Sequence, residues 1–354
     1  MSTGPGDLDG RLAAMIGEME AADAIYQPSA MWSNLGALNR QQLERGGLDH
    51  FKRSVNQNYF NWLPQSLSDN QVRRVLWQWL RRPSLRPLLA RMAPLGTLEG
   101  FAHDRPLDDR ASRLVYKLFV ALLWDVARRE DRAGLIGQLA EPLEGDPIRI
   151  RYRGRFVSQD LANSVREANR VLEHLSPAAG QTPIVTELGA GYGRLGHPLL
   201  ANRRCRYWVF DIPPALLIAE WYLPRVMPGR RVFPFRTFAR YEDVRAELES
   251  SEIAFFTANQ IALLPDDAVD AFVNISSLHE MRPAQIDHYL LQMARTSRQA
   301  IYLKQWRSFT NTDDTTIVTR ENYRLPAPWR VVHDAPDTVQ DLFFELVASR
   351  QVQR

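Results

Sequence analysis

The residues whose types and spacing could do chemistry are concentrated between positions 187 and 307. The segment Glu187-Leu188-Gly189-Ala190-Gly191-Tyr192-Gly193-Arg194-Leu195-Gly196 sets an acid two residues ahead of a run of spaced glycines. Glycine at 189, 191 and 193 lets the chain turn with positive φ and brings bare backbone against a ligand. A helix opening near Arg194 would aim its unpaired N–H groups at the same space. Gly191, Gly193 and Gly196 fit the G-x-G-x-x-G pattern of dinucleotide-binding turns. Glu187 argues against that pattern, where its position belongs to a buried apolar strand and an ionised carboxylate is costly without a partner. Asp211, roughly 20 residues beyond the loop, is placed to accept hydrogen bonds from ribose hydroxyls, with Ile212 beside it.

Further candidates stand at three later points. Thr257, Asn259 and Gln260 follow an apolar run and either meet an adenine edge or cap the next helix. The stretch Asn274-Ile275-Ser276-Ser277-Leu278-His279-Glu280-Met281 carries the acid–base candidates. A histidine takes a proton near neutral pH, so His279 is the candidate general base and Glu280 the group that orients it. The bland alternative is an imidazole at a helix start, bonded to backbone or to Glu280. Lys304, Gln305, Trp306 and Arg307 are read as a wall of an acceptor site, with Tyr192 and Ser277. The other histidines, His50, His103, His174, His197, His288 and His333, are read as structural or exposed. Asp266–Asp267 and Asp313–Asp314 are adjacent acids in turns, too few oxygens for a hard cation, so no metal is expected.

These residues need a scaffold. The runs "PIVTEL", "RYWVFDI", "EIAFFTA", "DAFVNIS" and "QAIYLKQW" alternate with helical stretches, the pattern of a parallel sheet covered on both faces. Right-handed crossovers then bring the strand C-termini, and the candidates on them, to one edge. Upstream, "NQVRRVLWQWL" reads as a helix, and "RLVYKLFVALLWDVARR" as another with Leu114, Leu118, Ala121, Leu122 and Val126 inward. "FKRSVNQNYFNWLP" (51–64) reads as core aromatics, Tyr59, Phe60 and Trp62, with surface Asn56, Asn58 and Asn61. "IRIRYRGRFV" reads as a hairpin about Arg153-Gly154, "SQDLANSVREANRVLEHL" as a helix, and "SPAAGQTP" as a linker. The expected organisation is a helical N-terminal domain over 1–147, a hairpin, helix and linker over 148–180, and a Rossmann-like α/β domain over 181–354.

The chain has 354 residues, long enough for two cores. Its 44 basic and 41 acidic residues are interspersed, a solvated surface rather than a nucleic-acid footprint. One cysteine, Cys205, fits a reducing compartment, and neither a signal-peptide pattern nor an 18-residue apolar run occurs, so a cytoplasmic protein without a membrane span is expected. Oligomeric state is open, a homodimer being one option.

Taken in order, "FKRSVNQNYFNW", "FVSQDLANSVREA", "VTELGAGYGRLGHPLL", "YWVFDIPPALLIAEWYL" and "FVNISSLHEMRPAQIDHYL" resemble the sugar O-methyltransferase family, a branch of the class I S-adenosylmethionine-dependent methyltransferases. The resemblance covers roughly residues 30 to 310. It implies a Rossmann-like domain that binds S-adenosylmethionine, with a helical region enclosing a small-molecule acceptor. By it Glu187, Gly189, Ala190, Gly191 and Gly193 line the cofactor, Asp211 meets the ribose, and Asn274, Ser276 and the following residues border the transferred methyl. Gln159, Asp160, Asn163, Ser164 and Glu167 match a polar helix that closes over the cofactor. The expected activity is methyl transfer to a hydroxyl of a sugar or glycosylated natural product. Alternatives are another displacement or cyclisation on S-adenosylmethionine, a nicotinamide-dependent oxidoreductase, and a binding protein without turnover.

Overall fold

The computed structural model describes residues 5–55, 63–80, 109–176, 180–201, 205–311 and 315–350. Asn56, Asn58, Tyr59, Phe60, Asn61, Trp62, His103, Asp313 and Asp314 lie outside the described residues. The N-terminal part contains α1 (Pro5–Glu20), α2 (Ala30–Gly46), α3 (Asn70–Leu80) and α4 (Arg110–Glu130). A short hairpin, β1 (Ile150–Tyr152) and β2 (Arg155–Val157), leads into α5 (Gln159–Leu172). The hairpin turns on Arg153 (φ 49°) and Gly154 (φ 81°), the pair of positive φ values that a tight two-residue connection requires.

The remainder builds one eight-stranded sheet from β3 (Ile184–Leu188), β4 (Arg206–Asp211), β5 (Val232–Phe233), β6 (Ile253–Thr257), β7 (Val269–Ile275), β8 (Ser297–Trp306), β11 (Trp329–Pro336) and β12 (Phe343–Arg350). A separate ribbon, β9 (Ser308–Thr310) with β10 (Ile317–Thr319), follows β8. The crossovers carry α6 (Gly196–Ala201), α7 (Ala215–Val226), α8 (Arg245–Ser250) and α9 (Pro283–Thr296). Strand order is β11-β12-β8-β7-β3-β4-β6-β5, parallel from β8 through β5, with β12 antiparallel to both neighbours. The fold is thus Rossmann-like α/β, as expected. Chain order reverses at β3, whose neighbours are β4 and β7, so the ends of these three strands open a crevice where such sheets hold ligands.

The five strands expected from apolar runs are β3, β4, β6, β7 and β8, and β3, β6 and β7 are buried at every position. Two faces of cover explain why they read as unbroken apolar runs. Phe210 stacks on Phe256 at 4.6 Å between centroids, and burying each such ring contributes roughly 1.5–3 kcal/mol.

One hydrophobic cluster runs from Met15, Phe51, Val75 and Phe119 to Val185, Tyr192, Val273 and Val347, so the N-terminal helices share a core with the sheet. The α4 face differs from expectation. Leu122 and Val126 are buried as expected, but Leu114 and Leu118 are 68% and 40% exposed, and Tyr116, Phe119, Val120, Leu123, Trp124 and Ala127 are buried as well. The expected stripe is interior in the second half of the helix and gives way in the first half to the larger rings of Tyr116 and Phe119.

Candidate functional site

The glycine loop is built as a cradle. Gly189, Gly191 and Gly193 have φ of 68°, 59° and 79°. A Cβ on Gly189 would overlap the Ser277 hydroxyl and come to 2.6 Å of Ser277 Cβ, while one on Gly191 would meet nothing within 4 Å and would project into open space. A Cβ on Gly196 would lie 2.6 Å from the Tyr207 ring, so this glycine serves close helix–strand packing. The loop is pinned by Asp211, whose carboxylate accepts the Gly191 and Ile212 N–H groups, each at 2.7 Å. Burial pushes the Asp211 carboxyl up to about 7, against the pull of those two N–H groups.

Beside the loop is a cavity of about 480 Å3, in the usual range for small-molecule sites. Of the sequence candidates, Glu187, Gly189, Ala190, Gly191, Tyr192, Asp211, Ile212, Ser276, Ser277, Glu280 and Trp306 line it. Glu187 is buried and its carboxylate accepts the Tyr207 hydroxyl. Burial pushes it up to about 8. Tyr192 donates its hydroxyl to Asp160 at 2.7 Å, bringing α5 onto the loop. Ser164 and Glu167, on the same helix, accept from Arg194 at 2.9 and 2.5 Å. The polar residues Gln159, Asn163, Ser164 and Glu167 are all buried, as a helix closed over the loop requires.

Other candidates stand elsewhere. Thr257 and Gln260 form a capping box, and Gln260 Nε2 donates to the Arg236 carbonyl at 2.9 Å. Asn259 donates to Glu18 on α1 at 3.0 Å. None of the three lines the cavity, and of this turn Ala258 does. Asn274 is fully buried behind the wall, donating to the Leu188 carbonyl at 2.8 Å and to Ser277 Oγ at 2.6 Å. Lys304 is a correction: it is fully buried, 3.0 Å from both Glu167 and Asp337 and 2.7 Å from Gln340. An unpaired ammonium could not be buried so deeply, and the acids around it hold its pKa up against desolvation. Burial pushes Glu167 up, but Arg194 and Lys304 together hold it below its ordinary value.

His279 stands behind the cavity lining. It is 1% exposed and absent from the cavity lining, packed on Phe309 and Trp306 at 4.8 and 5.6 Å between ring centroids. Its neighbour Glu280 lines the cavity instead. The Leu278–Glu280 turn makes this exchange, because consecutive residues of a helical turn point different ways. Among the described residues Glu280 Oε2 and Ser276 Oγ are buried without a hydrogen-bond partner. Glu280 Oε1 lies 3.4 Å from His279 Nε2. Gln305 Nε2 donates to the Asn274 carbonyl and side-chain oxygens, at 3.1 and 2.5 Å. That leaves Gln305 Oε1 facing His279 Nδ1 at 3.1 Å. An amide oxygen only accepts, so Nδ1 donates to Gln305, and Nε2 is the ring nitrogen that faces Glu280.

Sequence reasoning missed the other wall. Tyr26, Ser29, Met31, Trp32 and Leu35, from the loop before α2 and its first turns, line the cavity. Ser29 caps α2 and donates to the Glu280 carbonyl at 3.2 Å. Gln285 donates to the carbonyls of Ile25 and Gln27, both at 2.9 Å, fastening this strap to α9. The cap signal at Ser29 was legible; its destination was not. No cluster of three or more His, Cys, Asp or Glu suited to a metal occurs among the described residues, and no described helix is long and apolar enough to cross a membrane.

No family model matches the chain, and no curated protein matches it. Solved structures similar to it include a magnesium protoporphyrin IX methyltransferase from Synechocystis PCC 6803 with bound SAH (12% identity, 65% of this chain and 99% of that one, TM-score 0.38). Others are a SAM-dependent methyltransferase from Aquifex aeolicus (14%, 52% and 90%, 0.31) and a glycopeptide N-methyltransferase complexed with SAM (15%, 52% and 93%, 0.33). With identities and scores this low, the chemistry has to be read from this chain's own residues.

Proposed function

We propose that the chain is an S-adenosylmethionine-dependent O-methyltransferase acting on a hydroxyl of a small molecule, a sugar or glycosylated compound by the family resemblance. The observation that carries the reading is the pairing, in one cavity, of a glycine cradle with a buried, unpartnered carboxylate oxygen on Glu280. The residues suit the cofactor. Gly191 leaves space where a side chain would intrude, Asp211 offers its remaining lone pairs to ribose hydroxyls, and Glu187 and Arg194 offer polar groups to an amino-acid portion. Glu187 also disfavours the dinucleotide reading, since it lines the cavity as an acid.

When bound, S-adenosylmethionine supplies the methyl group that an acceptor oxygen receives with departure of the thioether. The protein's part is to hold that oxygen in line and to take its proton. Glu280 is the group for the proton, and His279, held by Gln305, shares it through Nε2. The helical N-terminal strap covers part of the cavity, and the fewer waters reach the reacting groups, the stronger the charge interactions inside.

Photo-crosslinking with radiolabelled S-adenosylmethionine tests the cofactor. The expected result is label on peptides containing residues 187–194 or 211–212, competed by S-adenosylhomocysteine and weakened about tenfold or more in Asp211→Asn. Label competed only by NAD, or no specific label, overturns the reading.

A further inference from the structure

We infer that the acceptor presents its reacting hydroxyl on a flat, largely apolar ring system, a phenol or fused aromatic, and that the cavity does not hold a bare sugar ring at the site of transfer. The inference rests on the methyltransferase reading and sharpens its substrate. Beyond the glycine loop and Asp211, the lining includes Met31, Trp32, Leu35, Met281, Trp306 and Phe309. Its polar members are almost all committed within the protein. Ser29 Oγ accepts from the Trp32 N–H and donates to the Glu280 carbonyl. Gln285 spends its Nε2 on the Ile25 and Gln27 carbonyls and its Oε1 on the Arg282 N–H and Nε–H groups. The Tyr26 hydroxyl is 2.9 Å from His288 Nε2, and Ser277 Oγ accepts from Asn274. Asn34 is exposed.

Among the described residues, Ser276 Oγ and Glu280 Oε2 are lining atoms buried without a partner. Together these two atoms serve one hydroxyl: Glu280 accepts its proton and Ser276 donates to its oxygen. A pyranose carries several hydroxyls around its ring, and each one buried without a partner costs on the order of tenfold in affinity. An aromatic acceptor has no such debt and gains from the Trp32, Trp306 and Phe309 rings. A sugar elsewhere on the acceptor would then lie in solvent, beyond the rim near Asn34 and Leu38, both exposed.

Calorimetry on the protein saturated with S-adenosylhomocysteine, titrated with 2-naphthol and separately with methyl α-glucopyranoside, tests this. The expected result is naphthol binding at least about tenfold tighter than the glycoside, with Trp32→Ala and Leu35→Asn each weakening naphthol about fivefold or more. Circular dichroism checks that both variants are folded. Equal or tighter binding of the glycoside, binding of neither probe, or naphthol affinity unmoved in both variants overturns the inference. Failure of S-adenosylhomocysteine to bind sinks the cofactor reading instead, and naphthol titrated into the unliganded protein still reads the apolar wall.

Discussion

Replacing Glu187 with glutamine should change how stability depends on pH, and the size of the change follows from where the carboxyl sits. Burial pushes its pKa up to about 8 from an ordinary 4.5, with Tyr207 as its hydrogen-bond donor. The native chain therefore keeps a proton on Glu187 across a range in which the unfolded chain has released it. Stability from this group is full below about pH 4, declines as pH rises, and stops declining once the native carboxyl ionises near pH 8. At about 1.4 kcal/mol per pH unit, the interval from pH 6 to 8 costs the wild type roughly 2–3 kcal/mol. Glutamine keeps an oxygen to accept the Tyr207 hydroxyl and has nothing to ionise. Asp211 titrates in both proteins and cancels to first order. Urea denaturation followed by circular dichroism at pH 6, 7 and 8 should show Glu187→Gln gaining on the wild type by roughly 2–3 kcal/mol across the series. A gap that stays constant with pH, or that narrows, refutes the claim that this acid is held neutral inside the sheet.

Gly189→Ala should lower stability by about 2–4 kcal/mol, through a left-handed backbone at φ 68° and displacement of Ser277 from Asn274; an unchanged thermal midpoint would show that the turn is not needed. Lys304→Met leaves Glu167 and Asp337 short of a buried cation and should cost about 3–5 kcal/mol in denaturant titration, more than an exposed pair could. With an acceptor that turns over, Glu280→Gln should lower kcat by about 10²–10⁴, and His279→Asn by less, since the imidazole acts through Glu280; equal losses in both would return the base to His279.

The sheet was legible because parallel strands covered on both faces cannot hide their composition: β3, β4, β6, β7 and β8 each read as an apolar run. The edge strand β11 escaped, because most of its residues are exposed or half-buried and its pairing with β12 is interrupted between Val331 and His333. The glycine loop and Asp211 were legible from spacing, since sharp turns and strand-end acids are local demands. Which of His279 and Glu280 meets the cavity depends on the direction of one short turn and was not. Lys304 looked like a site residue because a cation closing an apolar strand is conspicuous. Its partners Glu167 and Asp337 come from α5 and from the connection between β11 and β12, a convergence that only the fold reveals. The strap at Tyr26 to Leu35 was hidden for the same reason, since a cap and an amphipathic turn do not say what they will cover.

The most direct test of the central claim is isothermal titration of the purified protein with S-adenosylhomocysteine and, in parallel, with NAD. Micromolar binding of the former, about −8 kcal/mol, with none of NAD, is the expected result. Binding of NAD alone would make Gly191 to Gly196 the operative motif and contradict the account.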